Sequence, residues 1–332
     1  MKKKILIIGA GGIGKKHIDG FLRTGKFEIS ACDVDSKKLK EVEEKFKIKN
    51  LIIDFNSVNL RNFDCVLISA PANFHIPIAI KCAENNIPFL VEKPISVDLK
   101  SIDKLLKIVE KNKVKCGVGF TRRSVPSFKK LKEIIENKKC GETKMAAFHV
   151  AQDYRKYRPD YAEIYFAKEK MGGGCILDAV SHSIDLAQWY IGKPEYGYAI
   201  YDNLDFGEKI ETEDSSAIIS KFDNVIVNFY CNLFQKPYEL FIEFAGTKGN
   251  VRYISENKQI SKILFSDNDE GRWEELFTFE NEISDYYFYQ AENFLQLING
   301  EKTSFTKLEE AVENLKFCLK LKKGGKNEIK RS

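Results

Sequence analysis

Residues Lys4 to Ile8 form a short, largely apolar run that ends in Gly9-Ala10-Gly11-Gly12-Ile13-Gly14. Such a run suits a strand buried on both faces of a parallel sheet. A helix follows over His17 to Leu22, then a second strand over Phe27 to Cys32, which ends at Asp33. Strand, GxGxxG, helix, strand and acid in that order describe a dinucleotide-binding βαβ unit. Each part has a task. Gly9 permits the tight turn, Gly11 lets a pyrophosphate approach the backbone, and Gly14 allows the helix to pack closely on the strand. Gly12 and Ile13 complete the turn, and the helix N-terminus offers free N–H groups and a positive dipole end to the phosphates. Asp33 lies 19 residues past Gly14, where it can accept hydrogen bonds from ribose hydroxyls. Asp33-Val34-Asp35 favours NAD over NADP, since two carboxylates repel a 2′-phosphate and no Arg follows Asp33; Lys37 and Lys38 weigh against this, since either could reach the adenosine ribose.

Alternation then continues. Cys65 to Ala70, Phe89 to Val91 and Val114 to Phe120 read as strands, and Ile76 to Glu84 and Leu99 to Val109 as helices. The pattern argues for a doubly wound parallel sheet over a first domain, residues 1–121. Ligands of such sheets sit at the carboxyl ends of the strands. Ser69-Ala70-Pro71 and Glu92-Lys93-Pro94 stand there, which brings Lys93 to the cofactor's neighbourhood.

From residue 122 the character changes. Phe128 to Ile135 is helical, and Lys144 to Val150 alternates like a strand. Ala217 to Lys221, Val225 to Tyr230, Glu239 to Phe244 and Val251 to Tyr253 are also strand-like, with Gly246-Thr247-Lys248-Gly249 as a turn. Tyr286 to Leu297 and Leu308 to Leu319 read as closing helices. The expectation for residues 122–332 is a second, α+β domain with a large, mainly antiparallel open sheet. One face of that sheet is buried, and the other is free for a helix layer or a partner subunit.

Two domains are also what 332 residues suggest. A net charge of +5, evenly scattered, gives no nucleic-acid footprint, and the basic tail Lys320 to Arg331 reads as a solvated, frayed terminus. No apolar run approaches membrane-spanning length, and the glycines after Ile8 break any signal-peptide core. Eight cysteines lie scattered without a CxxC pair, and Cys32, Cys65 and Cys116 fall inside strands. Reduced buried thiols fit that pattern better than disulfides or zinc, so no metal is expected and a cytoplasmic protein is.

One further stretch bears on chemistry: Gly172-Gly173-Gly174, followed by a helix with Ile176, Leu177, Val180 and Ile184 on its apolar side. Asp178 and His182 are four residues apart and share a helical face. Such a pair suits general acid/base work near neutral pH, and it also occurs as an ordinary surface pair.

Gly9 to Gly14, Pro71-Ala72-Asn73-Phe74-His75, Glu92-Lys93-Pro94, the Gly172-Gly173-Gly174-x-x-x-Asp178-x-x-x-His182 run and the Gly246 turn occur in the order seen in the Gfo/Idh/MocA oxidoreductases. The chain resembles that family over essentially its whole length. The resemblance implies hydride exchange between a nicotinamide cofactor and a secondary alcohol of a sugar, cyclitol or nucleotide-linked sugar. It implies that Lys93 sits beside the reacting hydroxyl, that His182 is the base in oxidation and the acid in reduction, and that Asp178 is its partner. It also extends the cofactor set to Ser69, Ala70, Pro71, Asn73, His75, Glu92, Lys93 and Arg122. His75 has a second reading, as a cap for the next helix.

Substrate candidates are Lys93, Asp178 and His182, with Arg123, Tyr154, Lys156 and Tyr287. The loop Tyr154-Arg155-Lys156-Tyr157-Arg158-Pro159-Asp160-Tyr161 could clamp a diphosphate or a carboxylate, and it resembles loops of relatives that act on nucleotide-linked sugars. It reads equally as an exposed loop or a dimer contact. Many relatives carry an aromatic before the proline that follows Arg122 and Arg123; Val125 precedes Pro126 here. The leading expectation is an NAD-dependent oxidoreductase of a sugar or nucleotide-linked sugar, assembled as a homodimer or homotetramer through its C-terminal sheet. The alternatives are a free cyclitol or aldose dehydrogenase, and a non-catalytic dinucleotide-binding regulator. The regulator is expected to lack Lys93 or His182, and both are present.

Overall fold

A computed structural model describes residues 2–256, 259–280 and 282–324. Residues 325–331 of the basic tail lie outside the described residues. The chain forms two compact units, one of residues 1–125 with 284–312, the other of residues 126–283 with 313–332.

The first unit is built on six parallel strands: β1 (Lys3–Ile8), β2 (Phe27–Cys32), β3 (Leu51–Ile52), β4 (Cys65–Ile68), β5 (Phe89–Val91) and β6 (Cys116–Val118). Their order is β3-β2-β1-β4-β5-β6, the order of a dinucleotide fold, with the switch point beside β1. The helices between them are α1 (Gly12–Thr24), α2 (Ser36–Phe46), α3 (His75–Glu84) and α4 (Ile102–Asn112). α2 and β3 complete the doubly wound sheet that the alternation predicts.

Chain order alone does not disclose that α8 (Tyr286–Asn299) belongs to this unit. Phe294 and Ile298 join Ile18, Phe21 and Phe27 in one apolar core. Fully burying a phenylalanine there contributes about 1.5–3 kcal/mol. A Cβ at Gly20 would come within 2.5 Å of the Tyr287 carbonyl oxygen, so the close approach of α1 to α8 needs a glycine.

The second unit holds an eight-stranded sheet in the order β14-β13-β12-β11-β7-β10-β9-β8. Its strands are β7 (Thr143–Asp153), β8 (Pro194–Asp202), β9 (Ser215–Phe222), β10 (Val225–Asn232), β11 (Phe234–Gly246), β12 (Gly249–Glu256), β13 (Ile260–Ser266) and β14 (Glu274–Glu280). β7 and β10 run parallel, and every other pair is antiparallel. The open, mainly antiparallel sheet expected of this region is present. β8 escapes a periodicity reading because its outward residues, Tyr196, Tyr198 and Ile200, are apolar as well.

Ala146, Phe148 and Val150 of β7, Val227 and Phe229 of β10 and Ile242 and Phe244 of β11 form the buried face. The helices of this unit are α5 (Pro126–Glu136), the short α6 (Tyr154–Tyr157), α7 (Ser181–Tyr190) and the later residues of α9 (Leu308–Gly324). Tyr190 of α7 packs edge-on against Phe244, and Phe317 of α9 against Phe222. All eight cysteines are free thiols. No helix among the described residues is long and apolar enough to cross a membrane.

Candidate active site

In the first unit the glycine turn meets each requirement of a phosphate cradle. Gly9 sits at φ +99°, and a Cβ there would lie 2.5 Å from the Ala70 nitrogen. A Cβ at Gly14 would lie 1.9 Å from the Gly9 carbonyl oxygen, whereas at Gly11 it would meet nothing within 4 Å. Close packing therefore explains Gly9 and Gly14, and Gly11 opens on free space. α1 starts without a side-chain cap and without an acidic residue in its first turn, so its leading N–H groups suit an anion.

Ser69 donates from its hydroxyl to the Gly9 carbonyl at 2.9 Å and so helps to lock the turn. Asp33 accepts from the backbone of Ala10 at 2.8 Å and of Asp35 at 2.9 Å, which aims its carboxylate beside the turn. Lys38 Nζ stands 4.0 Å from Asp33 and 3.9 Å from Asp35, and Val34 is exposed. Pro71 and Asn73 lie on the exposed lip after β4. These groups fit a dinucleotide whose pyrophosphate rests on α1 and whose ribose faces Asp33.

Two buried histidines flank the Glu92-Lys93-Pro94 loop at the end of β5. His75 contacts the Ala70 carbonyl at 2.7 Å through Nε2 and the Pro94 carbonyl at 2.9 Å through Nδ1. Burial lowers its pKa, and those two carbonyls oppose the shift. Its ring is thus occupied with backbone, holding the strand-end loops together. His17 of α1 meets Glu92 Oε1 at 2.6 Å, and Glu92 Oε2 accepts the Lys93 backbone N–H at 3.2 Å. The Lys93–Pro94 bond is cis, and Lys93 itself is half-buried.

Arg122 is half-buried in the turn Thr121–Ser124 that follows β6. Arg123 is 2 % exposed and bonds Glu310 at 3.0 Å, an ion pair that satisfies a guanidinium taken out of water. Tyr287 packs edge-on against the His17 ring at 4.8 Å.

In the second unit, Gly172 and Gly174 take positive φ, at +78° and +93°. A Cβ at Gly174 would strike the Glu213 carboxylate at 2.4 Å. That carboxylate accepts the Ile176 N–H at 3.1 Å and is paired with Lys322 at 3.0 Å, while the Glu213 carbonyl takes the Cys175 N–H. Glu213 therefore caps the helical segment that carries Asp178 and His182. The segment departs from the regular α-helix that the spacing predicts. Ile176–Val180 is a π-helical turn, and α7 begins only at Ser181. Such turns recur at functional sites.

Asp178 lies in the π turn and accepts from the Tyr165 hydroxyl at 2.6 Å. The Tyr154 hydroxyl also bonds within this group. Burial foremost, and then the Asp178 charge, raises both phenols far above their ordinary range, so both remain O–H donors. Arg158 is near enough for its charge to oppose those shifts. His182, in the first turn of α7, is half-buried, with its Nδ1 shielded from solvent. Lys156 is exposed, and Arg155 is paired with Asp153 and Asp205. Tyr165 and Glu213 carry no signal in the sequence, because their partners are set by long-range packing; the tyrosine-rich loop is the nearest hint.

The first unit has the sheet, turn and acid of a dinucleotide-binding oxidoreductase. Family models agree on both units. Residues 3–120 match the oxidoreductase family with NAD-binding Rossmann fold, and residues 128–252 match the GFO/IDH/MocA C-terminal domain. The chain belongs to the Gfo/Idh/MocA oxidoreductases and carries their NAD-binding Rossmann domain. A myo-inositol 2-dehydrogenase of Thermotoga maritima is 25 % identical over 305 residues, covering 90 % of this chain and 88 % of its own. Among solved structures, the WlbA dehydrogenase from Bordetella pertussis in complex with NADH and UDP-GlcNAcA superposes with a TM-score of 0.79 at 20 % identity, over 98 % of this chain and 97 % of that one. Myo-inositol 2-dehydrogenase from Lactobacillus plantarum gives 0.81 at 21 % identity, over the same 98 % and 97 %.

Proposed function

We propose that the chain is a dehydrogenase of a secondary alcohol on a sugar or nucleotide-linked sugar, with Lys93, Asp178 and His182 as its catalytic residues. The observation that carries this reading is the preparation of Asp178 and His182: a capped π turn, with a carboxylate gripped by a buried phenol and an imidazole one turn further on. Bound NAD+ supplies the hydride acceptor. His182 removes the hydroxyl proton as the carbon loses hydride, and it returns the proton in reduction. The Lys93 ammonium stabilises the developing alkoxide. Asp178, held by Tyr165, accepts a hydrogen bond that orients the substrate or the imidazole. Arg158 and the exposed Lys156 support an anionic group on the substrate, such as a diphosphate or a uronate carboxylate.

A free cyclitol is the second reading, favoured by the relative named myo-inositol 2-dehydrogenase. A screen of UDP-GlcNAcA, levoglucosan, myo-inositol and scyllo-inositol, followed by the absorbance of reduced cofactor, decides between them. Turnover of none of these or of related sugars would leave the regulator as the better reading.

The cofactor preference rests on Asp33 and Asp35. Asp33→Ala is expected to weaken NAD+ about tenfold or more while NADP+ changes little, because only the former loses a charge-assisted hydrogen bond. Titration of both cofactors checks this, and equal losses contradict it.

The outer face of the second sheet supports the proposal of a homodimer or homotetramer. Tyr196, Tyr198, Ile200, Ile219, Ile226 and Tyr230 are all exposed on β8–β10. Exposed apolar side chains gathered on one face of neighbouring strands favour an interface. Replacing Tyr198 and Ile219 by Lys is expected to lower the mass seen by light scattering to that of one chain. An unchanged mass removes this face from the assembly. The eight free thiols support a cytoplasmic location.

A further inference from the structure

His17 is fully buried on α1, the helix that starts at the glycine turn, and the phosphate cradle gives it no task. Its Nε2 lies 2.6 Å from Glu92 Oε1. Nε2 and Oε1 thus share one buried hydrogen bond. The second oxygen of Glu92 takes the Lys93 backbone N–H at 3.2 Å. Both oxygens are thus committed, one to the helix of the cofactor and one to the main chain of Lys93. Glu92 has little room to move, since a Cβ at Gly119 would come within 2.7 Å of Oε1. Tyr287 closes the other side, with its ring edge-on to the imidazole at 4.8 Å.

We infer that His17 is a positioning residue for Lys93, acting through the Glu92 carboxylate, so that the lysine's main chain is held in register with the glycine-turn helix. The inference rests on the catalytic reading of Lys93. A buried polar group that loses its partner is costly, and the carboxylate reorients toward another donor. That reorientation releases the Lys93 N–H. A displacement of about 1 Å at a reacting group can cost on the order of a hundredfold in rate. His75 holds the Pro94 carbonyl on the other side of Lys93, so the loop is pinned at both flanks.

Three variants test this in the full chain: His17→Leu, which fills the space without a donor; His17→Gln, which restores an N–H near Nε2; and Glu92→Gln, which keeps the shape and removes the charge. Two measurements are made. The first needs no substrate: amide hydrogen exchange at Lys93, alongside NADH binding by fluorescence. Exchange at Lys93 is expected to rise about tenfold or more in His17→Leu and to return toward the parent rate in His17→Gln, with NADH affinity within about threefold in both His17 variants. The second is kcat with NAD+ and myo-inositol, or with whichever sugar of the screen turns over. His17→Leu is expected to lose about ten- to a hundredfold in kcat with little change in KM.

Unchanged Lys93 exchange in His17→Leu overturns the inference. So does an equal loss of NADH binding and kcat that His17→Gln does not rescue, since that marks a merely structural histidine. If His17→Leu does not fold, Glu92→Gln decides by the same two readouts, and parent values in both overturn it. Lys93→Met run in parallel separates the two readings. Full activity there removes the catalytic lysine, whereas a dead Lys93→Met beside an unaffected His17→Leu removes only the role of His17.

Discussion

Lys93→Met is expected to abolish hydride transfer while leaving NADH bound almost as in the parent chain. Methionine keeps the length and apolar stem of lysine and removes only the ammonium. The loop around it keeps its anchors, because the Glu92, His17 and His75 contacts run through other atoms. What disappears is stabilisation of negative charge on the substrate oxygen. Loss of one such group costs on the order of a hundred- to a thousandfold in kcat. Steady-state rates and NADH fluorescence titration measured on one preparation check both halves. A turnover number within about threefold of the parent would remove Lys93 from the catalytic set.

His182→Asn should be comparably severe in kcat, for a different reason. Asparagine retains a polar side chain at the start of α7 but cannot exchange a proton near neutral pH. General acid–base catalysis is worth about a hundred- to ten-thousandfold, and that range is the expected loss. Three anchors of the segment run through other atoms and remain in the variant: Glu213 caps Ile176, the Ser181 hydroxyl bonds the Leu177 carbonyl, and Asn314 donates to the Ser181 carbonyl. The pH profile adds a second check, since the limb set by the base should vanish from the residual activity. A mild effect with that limb intact would move the base to another group.

Much of this site is legible in the amino-acid sequence. The glycine turn, Asp33 and the strand-end position of Lys93 follow from short-range rules, because each is a matter of φ, helix dipole or strand ends within one βαβ unit. Asp178 and His182 are legible as a pair from their spacing alone. The supports are not. His17 pairs with a residue 75 positions away, and Arg123 with one 187 positions away. Arg123 reads as a substrate candidate; the fold buries it and pairs it with Glu310. Tyr154 reads as a residue facing substrate, and the fold buries it beside Tyr165 and Asp178.

Sequence by itself determined the parallel sheet, the glycine turn at its switch point, the acid at the end of β2 and the spacing of the catalytic candidates. Local backbone geometry sets all of these. Only the tertiary structure decided that α8 returns to the first unit and that the Asp178 segment opens as a π turn. It alone supplied Glu213 as the cap of that segment and His17 as the anchor of the Lys93 loop. Those features depend on which distant groups share a buried space, and periodicity along the chain carries no information about that.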